Sequence, residues 1–153
     1  MTTQDPDASR SDAAAQQRPT VLVACRKNAG RSQAAAALLR SYAGDRVEVL
    51  SGGSEPADEV HPEVRAVLAE RGLEPESTPK RFDAAMVQAA DVVVTMGCGE
   101  ECPYYPGRTY LDWEVDDPHG RPLPEVRVIV DDIDQRVRGL LDSLGIEVSA
   151  ASA

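Results

Sequence analysis

The chain alternates between short apolar runs and longer stretches in which apolar residues recur at helical spacing. The apolar runs and one alternating stretch predict four strands, at Thr20–Ala24, Arg46–Ser51, Val92–Met96 and Arg108–Trp113. The helical spacing predicts helices at Arg31–Tyr42, His61–Arg71, Phe82–Ala90 and Glu125–Leu144, and the glycines of Ser51–Ser54 predict a turn. Because strands alternate with helices, we expect right-handed βαβ units and a parallel sheet.

Composition narrows the class of protein. The 153 residues fit one domain, and a formal charge of -10 disfavours nucleic acid as a partner, because phosphate contacts need clustered Lys and Arg. No apolar stretch approaches the roughly 18 residues of a membrane span, and the first residues lack the apolar centre of a secretory signal. We therefore expect a cytoplasmic protein with no membrane contact. Residues 1–18 are expected to form a disordered extension, 19–146 the folded domain, and 147–153 a flexible tail.

The segment Cys25–Ser32 joins the first predicted strand to the first predicted helix. Backbone N–H groups in such a loop can converge on one tetrahedral anion, and the helix N-terminus adds partial positive charge. Arg31 adds a planar, permanently charged group suited to oxyanion oxygens, and these positive surroundings favour the reactive thiolate of Cys25. We predict that Cys25 is a nucleophile and that the oxyanion-binding loop consists of Arg26, Lys27, Asn28, Ala29, Gly30, Arg31 and Ser32.

Cys25, followed after five residues by Arg31-Ser32 and paired with a distant Asp117-Pro118, resembles the low-molecular-weight protein tyrosine phosphatase superfamily. It resembles more closely the arsenate reductases that share that fold. The resemblance covers about residues 19–146 and implies an α/β three-layer sandwich with a four-stranded parallel sheet. It also implies that Asp117 is the general acid that protonates the leaving oxygen. The alternative is that Asp116 and Asp117 only form a turn before the proline.

Other residues favour the reductase branch. Gln33 and His119 stand where the phosphatases usually carry a proline and an aromatic residue, and the segment with Cys98 and Cys102 looks like the redox segment of arsenate reductases. On one helical turn, two Cα atoms four residues apart lie about 6 Å apart, which is within the range of a disulfide. Two unreactive loop cysteines remain the alternative. Zinc is disfavoured because a structural site needs four ligands, so no metal site is predicted.

The resemblance implies the reduction of arsenate to arsenite, with phosphate or sulfate as competing anions. Cys25 would attack arsenic, and Cys98 and Cys102 would then carry a disulfide away from it. No bound cofactor is expected. The external reductant is thioredoxin on this relay, or mycothiol with mycoredoxin if a small thiol attacks the arsenic-bound cysteine directly. The competing function is phosphomonoester hydrolysis by Cys25, Arg31 and Asp117, and weak phosphatase activity is expected even of a reductase.

Overall fold

The computed structural model describes residues 18–76, 78–97 and 107–148. Within these ranges the strands are β1 (Thr20–Cys25), β2 (Glu48–Gly53), β3 (Val92–Met96) and β4 (Thr109–Asp112). The helices are α1 (Arg31–Ala43), α2 (Pro62–Glu70), α3 (Ala84–Ala89) and α4 (Leu123–Ser143), with a short 3-10 helix (Gly44–Arg46) before β2. No helix in the described part of the chain is long and apolar enough to cross a membrane.

The strands form one parallel sheet in the order β2-β1-β3-β4, which confirms the predicted four-stranded parallel sheet. The central strand β1 pairs with β2 on one side and with β3 on the other. Its last residue, Cys25, lies opposite Gly53 of β2 and Met96 of β3. Ligands of parallel α/β sheets bind at the carboxyl ends of the strands, so Cys25 stands at the expected place.

Apolar residues cover both faces of the sheet and produce the three layers of the sandwich. Successive side chains of a strand point to opposite faces, so Val21 and Val23 enter the larger core, whereas Leu22 and Ala24 enter the smaller one. The larger core contains the buried faces of α1, α2 and α4, and the smaller core lies beneath α3. The predicted α/β sandwich is therefore confirmed.

Helix α1 is buried almost all round, which its alanines allow. Ala34, Ala35, Ala36 and Ala37 are each at most 6% exposed, and alanine combines the highest helix propensity with a side chain small enough for close packing. Helix α4 instead shows one apolar side. Its buried residues recur every three or four positions: Val126, Ile129, Val130, Ile133, Val137, Leu140 and Leu141.

Two of the element boundaries that differ from the prediction have a clear structural cause, one distant in sequence and one local. Strand β2 continues to Gly53, through the predicted turn, because the chain packs tightly there. A Cβ at Gly52 would lie 2.7 Å from the backbone nitrogen of Phe82. Helix α3 begins later than predicted because the side chain of Asp83 accepts a hydrogen bond from the amide of Met86 (2.8 Å) and caps the helix there.

Candidate active site

Cys25 lies at the carboxyl end of β1 and is only 2% exposed. Its Sγ is 3.0 Å from Oγ of Ser32, in the first turn of α1. Asn28 Nδ2 donates a hydrogen bond to the same oxygen (2.8 Å), so the hydroxyl hydrogen of Ser32 is available to the sulfur. This contact holds the Cys25 sulfur, the predicted nucleophile, against the first turn of α1.

Asn28 determines the shape of the loop. It is fully buried and has a φ of 51°, in the left-handed region that asparagine tolerates better than most residues. Besides Ser32, its Nδ2 donates to Ser51 Oγ (3.2 Å). Its Oδ1 accepts from the amide of Lys80 (2.9 Å) and from Gln33 Nε2 (3.3 Å). One side chain thus connects the nucleophile's hydrogen-bond partner with β2 and with the segment before α3.

In the sequence, Gln33 only distinguishes the reductases from the phosphatases. In the structure it also helps to hold the oxyanion-binding loop in place. Its side chain is fully buried in α1, where Nε2 donates to the carbonyl oxygen of Asn28 (3.0 Å) and Oε1 accepts from the amide of Glu76 (2.8 Å). A polar side chain among buried alanines is the signal that could have shown this role, because buried polar groups are normally hydrogen-bonded. Gln33 therefore connects the loop backbone at Asn28 to the segment that contains Glu76.

Glu76 anchors the outer end of this support through ion pairs. Burial alone would raise the pKa of its carboxyl group, but hydrogen bonds from Lys80 and Arg40 outweigh burial and lower the pKa below its ordinary value. Arg40 Nη2 lies 2.8 Å from Glu76 Oε2, and Lys80 Nζ contacts the other carboxylate oxygen. The ionised form is therefore the stable form in the folded protein.

The carbonyl groups of the loop point outward to the segment that follows β2. Cys25, Arg26, Lys27 and Ala29 accept backbone hydrogen bonds of 2.8–3.3 Å from the amides of residues 54, 55, 57 and 61. In a trans peptide the C=O and the next N–H point in opposite directions. The amides of the following residues therefore face the interior of the loop, where they form an anion-binding concavity. Among the described residues, the amides that this places inside the loop are those of Arg26, Lys27, Asn28 and Gly30.

The side chains of Arg26 and Lys27 lie outside this concavity. They are 46% and 50% exposed, and both approach Oε1 of Glu55, at 3.8 Å and 3.5 Å. Glu55 offsets part of their charge. These two residues face the concavity through their backbone amides, while their side chains form a surface ion-pair cluster.

Arg31 and Asp117, far apart in sequence, meet at the mouth of the loop. Arg31 Nη2 lies 3.8 Å from Asp117 Oδ2, and Nη1 donates to the carbonyl oxygen of Val115 (3.4 Å). Asp117 is exposed, and its Oδ1 accepts from the amide of His119 (3.0 Å). Gly97, the residue after β3, also lies close to the guanidinium, because a Cβ at this position would lie 2.5 Å from Nη1. The predicted anion ligand and the predicted acid are thus neighbours.

The two histidines of the chain also meet beside the loop, although 58 residues separate them. The rings of His61 and His119 have centroids 4.1 Å apart, and a Cβ at Gly30 would lie 3.2 Å from both the His61 ring and Pro118. Burial, followed by the positive charge of a protonated His119, lowers the pKa of His61. Burial would raise the pKa of Glu63, but backbone amides, including that of Gly120, and the two histidines lower it overall.

Cys98 and Cys102, the predicted redox pair, lie outside the described residues, which end at Gly97 before this segment and resume at Gly107. Cys25 is the one cysteine among the described residues, and it is a free thiol. The structure therefore brings together Cys25, the loop, Arg31 and Asp117, and the relay remains a prediction.

Comparison with known proteins agrees with this geometry. The chain matches the family of low molecular weight phosphotyrosine protein phosphatases over residues 20–150. A relative from Halobacterium salinarum is 41% identical over 124 residues, which are 77% of this chain and 87% of the relative. An arsenate reductase of Bacillus anthracis is 32% identical over 123 residues, covering 78% of this chain and 91% of that protein.

A solved structure of a reductase agrees with these sequence matches. A thioredoxin-dependent arsenate reductase of Corynebacterium glutamicum superposes with a TM-score of 0.72 and 44% sequence identity, covering 90% of this chain and 70% of that one. Sequence, fold and the geometry around Cys25 lead to one assignment. The chain belongs to the low molecular weight phosphotyrosine protein phosphatase family and, within it, to the arsenate reductase type.

Proposed function

We propose that this protein reduces arsenate to arsenite with Cys25 as the nucleophile. The observation that carries the proposal is the position of Cys25 Sγ, 3.0 Å from Ser32 Oγ, at the base of a loop whose amides face inward. Such a concavity fits a tetrahedral oxyanion, and phosphate and sulfate are expected to compete with arsenate for it. Arg31 would bind two of the oxygens as a fork and stabilise the charge of the transition state.

In the first step the Cys25 thiolate attacks arsenic and forms an S–As bond. The As–O bond opposite breaks, and Asp117 supplies the proton with which the oxygen leaves as water. Arsenic is still As(V) at this stage. The exposed position of Asp117 beside Arg31 supports this role, because an acid at the mouth of the loop meets the leaving oxygen and can take its next proton from solvent.

In the second step the Cys98 thiolate attacks Cys25 Sγ. The S–S bond forms, the S–As bond breaks, and its electron pair remains on arsenic, which leaves as arsenite, As(III). Cys102 then attacks Cys98, so that the disulfide joins Cys98 to Cys102 and Cys25 returns as the thiolate. An external dithiol, thioredoxin in our proposal, reduces this disulfide and is itself oxidised. Because each cycle ends with a disulfide that must be reduced, we place the protein in the cytoplasm.

The path of β3 supports the relay. Met96 lies opposite Cys25 in the sheet, and Gly97 touches the guanidinium of Arg31. Cys98 is the next residue of the chain, so the covalent path to the second thiol starts beside the anion site. The thioredoxin dependence named for the Corynebacterium glutamicum relative supports the same choice of reductant.

One set of variants tests the relay. We expect Cys25→Ser to abolish turnover and Cys98→Ser to abolish the thioredoxin-coupled rate. After one equivalent of arsenate without reductant, mass spectrometry should show a Cys98–Cys102 disulfide in the wild type and a trapped Cys25–Cys98 disulfide in Cys102→Ser. Wild-type rates of Cys98→Ser with thioredoxin would contradict the relay. Activity of that variant with mycothiol and mycoredoxin alone would establish direct attack by a small thiol.

A neighbouring carboxylate provides the control for the proposed acid. Asp117→Asn should lower kcat by about a hundredfold, within the usual range for a general acid. Asp116→Asn removes the same charge one residue earlier and should change kcat by less than about threefold. Equal losses in the two variants would show that only the net charge of the turn matters and that Asp117 has no role as an acid.

Phosphomonoester hydrolysis is the second candidate, and the family match over residues 20–150 favours it. In that reaction Cys25 forms a phosphocysteine that water releases, so Cys98 and Cys102 have no role. Hydrolysis of p-nitrophenyl phosphate by the double variant Cys98→Ser/Cys102→Ser should therefore equal that of the wild type. If hydrolysis is fast and arsenate turnover is undetectable with either reductant, the protein is a phosphatase.

A further inference from the structure

His61, Glu63 and His119 form a cluster at the rim of the Cys25–Ser32 loop that the proposed reaction does not use. Nδ1 of His61 lies 3.2 Å from Nδ1 of His119, and one ligand atom from each of the three side chains lies within 4.8 Å of the others. Two nitrogens bound to one tetrahedral zinc ion at about 2.0–2.1 Å are about 3.3 Å apart. The two imidazoles therefore already have the separation of ligands that share an ion.

One carboxylate oxygen of Glu63 has no hydrogen-bond partner among the described residues. Its Oε2 accepts from the amide of Gly120 (2.8 Å), which holds the carboxylate against the turn that carries His119. Its Oε1 is buried and has no hydrogen-bond partner among the described residues. Nearly all buried polar atoms of native proteins have a hydrogen-bond partner, so such an atom calls for an explanation. An ion bound beside the two imidazoles would provide the missing partner.

A proton shared between the two Nδ1 atoms also accounts for their separation, but it leaves Glu63 Oε1 without a partner. We propose that His61, Glu63 and His119 bind one divalent transition-metal ion, of which Zn²⁺ fits the imidazole and carboxylate ligands best. Three protein ligands leave a fourth position for water or an anion. The site differs from the zinc arrangement considered for Cys98 and Cys102, and the distance between its ligands in sequence hides it from sequence analysis.

The location of the site gives the ion a mechanical role. His61 precedes α2, and its amide donates to the carbonyl oxygen of Ala29 in the loop (2.9 Å). His119 follows Asp117 by two residues, and its amide donates to Asp117 Oδ1. An ion held by both histidines therefore connects the oxyanion-binding loop to the turn that carries the proposed acid.

The test is zinc binding observed through the two histidines themselves. Because thiolates also bind zinc, the full chain is used with Cys25, Cys98 and Cys102 replaced by Ser. The chain has two histidines, so its imidazole NMR signals report on each separately. On titration with ZnCl₂ we expect both sets of signals to shift together and to saturate at one ion per chain. No arsenate turnover is measured, so the outcome is independent of the proposed function.

Two further variants decide whether the carboxylate is a ligand. Glu63→Gln in the same cysteine-free chain should weaken zinc binding at least tenfold. Glu125→Gln, which removes the acidic residue from the first turn of α4 as Glu63→Gln does for α2, should leave the affinity unchanged. His119→Gln at an exposed position should abolish saturable binding while the circular dichroism spectrum stays the same. A shift of one imidazole alone, equal affinities of Glu63→Gln and Glu125→Gln, or the absence of saturation would overturn the proposal.

Discussion

Replacement of Asn28 separates two contributions that this residue makes to the oxyanion-binding loop. Its side chain connects Ser32, Ser51, Lys80 and Gln33 through hydrogen bonds. Its backbone has a φ of 51°, in a region that alanine adopts less readily than asparagine or glycine. Asn28→Ala removes the hydrogen bonds and keeps the Cβ, whereas Asn28→Gly removes both. The difference between the two variants measures the backbone contribution alone.

The magnitudes follow from the contacts. Loss of the acceptor for the Lys80 amide costs about 1 kcal/mol, the lower end of the range for an unpaired buried donor, because this amide is only partly buried. Loss of the bonds to Ser32 and Ser51 costs about 1 kcal/mol more. Alanine in the left-handed region adds about 1–2 kcal/mol, and glycine avoids this at an entropic cost of about 0.5–1 kcal/mol. We expect Asn28→Ala to lose about 3.5 kcal/mol of unfolding free energy and Asn28→Gly about 2.8 kcal/mol.

Urea denaturation under reducing conditions measures these losses. With a slope near 2 kcal/mol per molar, the midpoint should fall by about 1.8 M for Asn28→Ala and about 1.4 M for Asn28→Gly. Arsenate turnover should fall about equally in both variants, because each loses the bond that directs the Ser32 hydroxyl to Cys25. Unfolding free energies within about 0.5 kcal/mol of the wild type would refute the reasoning about the hydrogen bonds. Equal stability of the two variants would refute the reasoning about the backbone.

Three further predictions concern contacts around the site. Gly97 has a φ of 87°, and Gly97→Ala would place a Cβ 2.5 Å from Arg31 Nη1. This variant should lower kcat/KM at least tenfold and weaken competitive inhibition by phosphate. The pKa of Glu76 is lower in the folded state than in the unfolded state, so its ionised form stabilises the protein above the unfolded-state pKa. Urea titrations should therefore show Glu76→Gln to be less stable than the wild type by about 1 kcal/mol at pH 7. This difference should vanish as the pH falls through the folded-state pKa. Tyr42→Phe, which removes the hydroxyl that donates to Asp134, should lower the thermal midpoint by a few degrees without changing turnover.

Local sequence patterns were sufficient to predict the sheet and the helices. The apolar run of β1 and the three- to four-residue spacing of α4 are properties of consecutive residues, so they are visible without the fold. The end of β2 was wrongly predicted as a turn, because two glycines normally indicate one. Gly52 and Gly53 are instead needed where Phe82 and Arg26 approach the strand, and such approach depends on tertiary packing.

The site divides in the same way. Cys25 and Arg31 belong to one short segment whose order already indicates anion chemistry. The support from Gln33 and the pairing of His61 with His119 depend on which loops meet at the carboxyl edge of the sheet. A polar residue in the alanine run was a usable hint for Gln33. Nothing in the spacing of the two histidines pointed to their contact.

The outward carbonyl bonds of the oxyanion-binding loop determine which substitutions the neighbouring segment accepts. Residues 54, 55, 57 and 61 hold the loop through their backbone amides, so the loop geometry is indifferent to most changes of their side chains. Proline is the exception, because it has no amide hydrogen to donate. The one native proline between residues 54 and 61 is Pro56, at a position whose amide is not among these four donors. As far as the backbone hydrogen bonds of the loop are concerned, a redesign of this segment is therefore restricted only in where proline stands.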